Sequence, residues 1–175
     1  MGPGLSELED CFKKYSWDLY SYGLCLCRQT DMVDDAIHDV FVDIHSNDAA
    51  FSRALDKKRY LMASVRNKLY HKMKDSHKGK SLDISDIDIE SPGHADDDII
   101  DRETMLIDDE IVKEMVSALN IRQREILFLR FNEGKSFKEI SRIMEIQPQS
   151  AQNLFQRTVT KLKRLLVEGK ITVEK

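Results

Sequence analysis

Cysteine is scarce in this chain: Cys11, Cys25 and Cys27 form an odd set with no paired C-x-x-C spacing. A disulfide framework or a paired-cysteine zinc site is therefore excluded, and the pattern fits reduced thiols in a core. No apolar run approaches the roughly 20 residues needed to cross a bilayer. The first residues lack the basic-then-apolar order of a secretion signal, so the cytoplasm is the expected location. Strand-like alternation is missing as well. Apolar spacing is helical throughout, which predicts an all-α fold. At 175 residues the length suits one compact domain or two small ones.

What the sequence does have is segregated charge. The net charge of −4 conceals ten cations between Arg53 and Lys80, faced only by Asp56 and Asp75. Between Leu82 and Glu110 stand twelve acids and one cation, Arg102. A chain blocked in this way can touch a polyanion at one place and a basic surface at another. Overall charge alone would have argued against nucleic acid, and misleadingly.

The spacing predicts a first helix from about Ser6 to Arg28, with Leu8, Cys11, Phe12, Tyr15, Leu19, Tyr22 and Leu26 on one stripe. Gly23 inside it predicts a bend or a close helix contact. Thr30-Asp31 is expected to cap a second helix carrying Val33, Ala36, Ile37, Val40, Phe41 and Ile44, stopped by Ser46-Asn47-Asp48. A third is expected from Lys57 or Lys58 through Met73. From Ser76 to about Arg102 the periodicity is lost, and "DISDIDIESPGHADDD" cannot bury enough apolar area to offset its ordering entropy. Beyond it, Ile107, Ile111, Met115 and Leu119 predict a fourth helix. Asn120 and Gln123 suggest a capping box for "IRQREILFLRF", which is expected to end at Gly134. Ser136 and Glu139 form a second box, and Pro148 suits the first turn of a closing helix. Two small helical domains follow, 1–76 and 104–175, joined by a flexible acidic linker at 77–103.

The two closing helices have the outline of a helix-turn-helix. Phe137, Ile140, Met144, Ile146, Ala151, Leu154, Phe155, Val159 and Leu162 supply apolar contacts, with small Ser141 allowing close approach. The opposite face of the last helix presents Gln149, Ser150, Gln152, Asn153, Gln156, Arg157 and Lys161. Gln and Asn pair bidentately with adenine in the major groove, and cations farther along suit phosphates. An ordinary helical hairpin with a solvated face would show the same pattern.

The segment "LNIRQREILFLRFNEGKSFKEISRIMEIQPQSAQNLFQRTVTKLKRLL" resembles region 4 of the sigma-70 family, particularly its extracytoplasmic-function group. The likeness rests on L-x-x-R-Q-R-E-I, the E-G-x-S-x-x-E-I entry and the R-x-x-x-K-L-x-x-L ending. In the first domain, "DMVDDAIHDVFVDIH" resembles region 2.2, and "YLMASVRNKLYHKM" resembles region 2.4 with its Arg-Asn pair. The resemblance implies a sigma factor that binds RNA polymerase core and directs promoter recognition and DNA opening. Region 2.2 would dock on the β′ subunit through Asp35, His38, Asp39 and Asp43, although the family usually has Gln where His38 stands. Regions 2.3 and 2.4 would hold the melted −10 strand, with Asn67 at a flipped base and Arg53, Lys57, Lys58, Arg59, Arg66, Lys68 and Lys72 on the backbone. Phe51 and Tyr60 are read either as stacking partners or as packing under a loop. The last helix would read the −35 element. The implied partners are the polymerase core with its β and β′ subunits, double-stranded promoter DNA, the melted −10 single strand and an anti-sigma factor. No cofactor is implied. In the family the linker threads the polymerase toward the RNA exit path; a solvated spacer is the equal alternative. Two departures fall in the turn: Glu145 where Gly is frequent, and Gln147 where Ser is common.

Catalysis is the poorer reading. "DDAIHD" sets Asp35 and His38 three apart, but the apolar stripe claims the inward face and turns these groups outward. A helix-turn-helix regulator that does not engage polymerase would account for the second domain but not for the first.

Overall fold

The computed structural model describes residues 5–47, 49–76 and 115–167. Among these residues every regular element is a helix. They divide into two compact units. The expected linker, and the start of the helix through Ile107 and Ile111, lie outside the described residues.

The first unit is built from α1 (Leu5–Cys27), α2 (Thr30–Asn47), the short α3 (Ala49–Arg53) and α4 (Lys57–Ser76). Helices α1, α2 and α4 pack against one another in all three combinations. Leu8, Leu19, Tyr22 and Leu26 of α1 are buried with Val33, Ile37, Val40 and Ile44 of α2. Leu61, Met62, Val65, Leu69 and Met73 of α4 complete this core. Helix α1 ends on Arg28, a non-glycine residue at φ 53 that turns the chain sharply into α2. Thr30 and Asp31 lie inside the first turn of α2 and do not precede it, because the Gln29 carbonyl already accepts from Val33 N–H at 3.0 Å. Phe12 and Phe41, expected on buried stripes, meet edge to face at 5.3 Å at the margin of the core, and Phe12 remains exposed.

α3 is absent from the apolar pattern because five residues are too few to show a helical period. Its Phe51 is fully buried. The Lys57 ammonium reaches back to the Phe51 and Ser52 carbonyls and lies 4.3 Å from the Phe51 ring centroid. Asp56 then starts α4: its carboxylate accepts from Arg59 N–H at 2.9 Å.

In the second unit the chain is helical at 115–117 and continues into α5 (Ile121–Leu127). The predicted capping box is formed, with Gln123 N–H donating to the Asn120 side chain at 2.9 Å and Asn120 N–H donating to the Gln123 side chain at 3.2 Å. The sequence suggests one helix to Gly134. Instead α5 passes into a π-helical turn, Phe128–Asn132. Gly134 then stops the helix at φ 62, with Lys135 N–H donating to the Leu129 carbonyl at 2.9 Å. Arg124 and Glu125 of the R-Q-R-E motif are buried, and Arg124 donates to the Leu119 carbonyl at 2.7 Å. These motif residues therefore belong to the scaffold. α6 (Phe137–Ile143) and α7 (Pro148–Val167) follow, and α5 packs on α7.

Gly23 sits where α1 meets α2 face to face. A Cβ built there would lie 2.6 Å from Cγ1 of the fully buried Val33, in a helix with no room to yield. Alanine would gain about 1 kcal/mol of helix propensity and lose roughly 1–3 kcal/mol to overpacking. Gly23→Ala is expected to lower the stability of the first unit, read as a fall in the urea midpoint of the helical circular-dichroism signal. An unchanged or raised midpoint would show that α1 and α2 do not close as tightly as described.

Candidate nucleic-acid interface

Local chemistry at the ends of α6 and α7 sets the angle of the helix-turn-helix. Ser136 and Glu139 form the predicted box at the start of α6: the serine hydroxyl accepts from Glu139 N–H at 3.3 Å, and Ser136 N–H donates to the Glu139 carboxylate at 2.8 Å. At the other end Ile146 N–H donates to the Ser141 carbonyl at 3.0 Å, and Glu145 takes φ 55. This closure demands a left-handed residue, which explains why glycine suits the position. Glu145 adopts it at a cost on the order of 1–2 kcal/mol. Gln147 then accepts from Ala151 N–H through its carbonyl at 3.0 Å, and Pro148 opens α7.

Ile140, Ser141, Ile143, Met144 and Ala151 fill the joint between the two helices. Phe137 and Phe155 meet edge to face at 5.5 Å. Thr158, read from the sequence as nothing in particular, is fully buried, its hydroxyl satisfied by the Leu154 carbonyl at 2.8 Å. The opposite side of α7 is open: Gln149, Ser150, Gln152, Asn153, Gln156 and Arg157 are all exposed. Gln149 donates to Asn153 at 3.2 Å. Asn153, Gln156 and Arg157 share a groove with Thr160, Arg164 and Gln123 of α5. Most of the proposed reading side chains are thus on one accessible face.

Lys161 is the exception. Its ammonium donates to the Ala118 carbonyl and lies 3.4 Å from the Gln123 side-chain oxygen. It satisfies the C-terminal end of the helical turn before α5, so its first role is structural. Lys163 and Arg164 next to it are exposed.

In the first unit the cations predicted to meet DNA backbone are largely matched by carboxylates of α1 and α2. Lys57 pairs with Glu7 at 3.3 Å and Lys58 with Asp18 at 2.8 Å. Lys68 pairs with Asp43 at 2.7 Å and Lys72 with Asp39 at 3.0 Å. One turn up α2 is met by one turn down α4, so these two helices run antiparallel. The signal was present in the sequence as two four-residue spacings, Asp39/Asp43 and Lys68/Lys72, but their registration needs the fold. Arg66 is buried to 8% exposure with its guanidinium 4.5 Å from the Tyr70 ring centroid, which makes it a packing residue in this state. Arg59 and Asn67 are half-buried. Phe51 lies in the core against Tyr60, ring centroids 5.6 Å apart, so the packing alternative holds for it and the stacking one does not. Asp35 and His38 are exposed on α2, as the polar side of that helix requires.

The hydrogen bond from Lys72 holds the Asp39 carboxyl below the usual carboxylate range; partial burial opposes it, and the Lys72, Lys68 and His38 charges add to the lowering. Two chemically different surfaces result: an amide-rich helix face in the second unit, and a mosaic of paired charges in the first. Among the described residues no cluster of His, Cys, Asp and Glu could hold a metal ion, and no helix is long and apolar enough to cross a membrane.

The second unit is a helix-turn-helix module of the type that lays its last helix against nucleic acid. Residues 109–162 match the family described as Sigma-70, region 4, and this part of the chain is a sigma-70 region 4 domain. The fold is similar to that of the sigma factor RpoE from Bartonella quintana, solved in complex with the anti-sigma factor NepR. That likeness has a TM-score of 0.70 at 18% identity and covers 92% of this chain and 97% of that one. A search of curated proteins gives no match.

Two outcomes are expected here. Glu145→Gly relieves the left-handed strain in the turn and should stabilise the second unit by about 0.5–1 kcal/mol, glycine's extra unfolded-state freedom offsetting part of the gain. A lower thermal midpoint for this variant would contradict the strain. For Asp39, a depressed folded-state value means that the stabilisation is complete above the unfolded carboxylate value, about 4, and is lost as pH falls through the lower folded one. Lys72→Gln should return the Asp39 carboxyl toward its ordinary value in a carbon-13 titration; an unmoved midpoint would assign the shift elsewhere.

Proposed function

We propose that this protein is a sigma factor of the extracytoplasmic-function group, which binds RNA polymerase core and directs it to promoters. The observation that carries this reading is the region 4 domain at 109–162, whose α7 holds an exposed row of amide side chains over a buried apolar face. The fold likeness across both units supports the same reading and weighs against a lone helix-turn-helix regulator, which would need no first unit.

In this reading α7 lies in the major groove at the −35 element, with Gln149, Ser150, Gln152, Asn153, Gln156 and Arg157 toward base edges and nearby phosphates. Lys163 and Arg164 take the backbone position that Lys161 gives up. The exposed side of α2, with Asp35 and His38, docks on the β′ subunit, and Asp39 and Asp43 stand beside them. α4 meets the −10 strand, and Asn67 takes an extruded base. Opening without ATP exchanges base stacking for protein contacts, so no catalytic residue and no cofactor enter. An anti-sigma factor is the natural regulator of such a protein, by likeness to the relative solved with one.

Run-off transcription with purified bacterial core polymerase on templates carrying a randomised −35 element tests this reading. The wild-type protein is expected to initiate on a selected subset. Gln152→Ala and Asn153→Ala should shift that selection by roughly 1–3 kcal/mol per lost bidentate contact. Absence of initiation would defeat the sigma-factor reading, and an unchanged selection would move the reading surface away from these residues.

A further inference from the structure

The ion pairs between α2 and α4 join two surfaces to which the proposed function gives different partners. Asp39 and Asp43 belong to the α2 side assigned to a protein partner. Lys72 and Lys68 belong to the α4 side assigned to nucleic acid. In the free chain these four groups satisfy one another at 3.0 and 2.7 Å. All four side chains keep partial access to solvent, from 31% for Lys72 to 62% for Asp43. They are therefore reachable by a competitor, and neither pair is locked in the core.

Resting on the sigma-factor reading, we propose that these pairs are an exchange device. Asp39 and Asp43 withhold Lys72 and Lys68 from nucleic acid until a basic partner surface takes the two carboxylates.

The physics is a competition for charge. A phosphate approaching α4 must either displace a carboxylate from each lysine or accept a lysine whose charge is already partly neutralised. It also approaches two nearby negative charges. A cationic surface that draws Asp39 and Asp43 toward itself removes both obstacles at once and leaves each ammonium without its carboxylate counter-ion. Linkage makes the effect reciprocal: a nucleic acid that takes the lysines frees the carboxylates for the basic partner by the same factor. The two partners therefore reinforce each other without any movement of the helices. The one-turn register on both helices matters, since it lets a single partner surface address both carboxylates together. Lys57 and Lys58 are paired elsewhere, to Glu7 and Asp18 of α1, and do not take part in this exchange.

The test uses the full chain without polymerase and a fluorescent single-stranded oligonucleotide, with affinity read by anisotropy at low salt. Asp39→Asn with Asp43→Asn releases both lysines. Asp10→Asn with Asp34→Asn makes the same change in net charge at exposed positions of α1 and α2. The first pair is expected to tighten binding by roughly three- to tenfold and the second by less than about twofold. Helical circular dichroism checks both. If the first double variant is unfolded, Asp43→Asn alone, at the more exposed pair, should give part of the gain. Equal tightening by both double variants, or none by the first, overturns the exchange. Absence of binding by every variant overturns it too, because then Lys68 and Lys72 do not meet nucleic acid. Tightening by the first pair in a protein that does not initiate transcription with core overturns the sigma-factor reading and leaves the exchange standing.

Discussion

Burial of one face of α4 against α1 and α2 governs the first unit. Leu61, Val65, Leu69 and Met73 are sealed in that seam, and their spacing leaves the lysines of α4 on its two flanks. A lysine on a helix flank has a long apolar stem, and its ammonium reaches over the neighbouring helix instead of standing into solvent. The carboxylates it finds there belong to α1 on one side and α2 on the other. The hydrophobic seam thus decides the electrostatics. A segment that reads as a block of positive charge becomes, once folded, a chequered surface whose local field is far weaker than its composition suggests.

The second unit depends on its helix ends. Two of its helices are short, seven residues in α5 and in α6, below the length at which a helix is stable alone. Two capping boxes, a glycine stop and a left-handed glutamate supply the boundaries that length cannot. The turn they make exposes one side of α7 and buries the other, and the amides that project from it carry no charge. Recognition by such a face depends on hydrogen-bond geometry, while cations farther along the helix set strength. The protein's negative overall charge is therefore no obstacle to the proposed contact with DNA.

Much of this was legible in the sequence, and for stated reasons. Both capping boxes are short-range patterns in which a side chain satisfies a backbone group three residues away, so no tertiary information is needed to see them. The apolar stripes of α1, α2 and α7 were visible in the same way. Gly23 announced either a bend or a close contact, and the fold makes the contact, against Val33. What escaped was of two kinds. α3 and the π turn at Phe128–Asn132 are each five residues, too short to show a period. The pairings of Asp39, Asp43 and Lys161 join residues far apart in sequence, and which partner a long side chain reaches is set by helix register. Arg66 lies inside for a related reason: residue type suggested surface chemistry where the fold made it interior, while of the two readings of Phe51 the fold gives the packing one.

The tether from Lys161 to the Ala118 carbonyl bears on how the protein is divided for experiment. A fragment beginning at Asn120 would look complete, since it retains the capping box of α5 and the whole helix-turn-helix. It would nevertheless lack the carbonyl that holds Lys161, leaving that ammonium only the longer contact to Gln123 and a looser place beside Arg157 and Arg164 on the groove of α7. Under the proposed function, such a fragment would bind DNA more tightly and less selectively than the intact chain. Its affinity would be an artefact of where the cut was made. Any excision that preserves the native charge of this face has to begin upstream of Ala118.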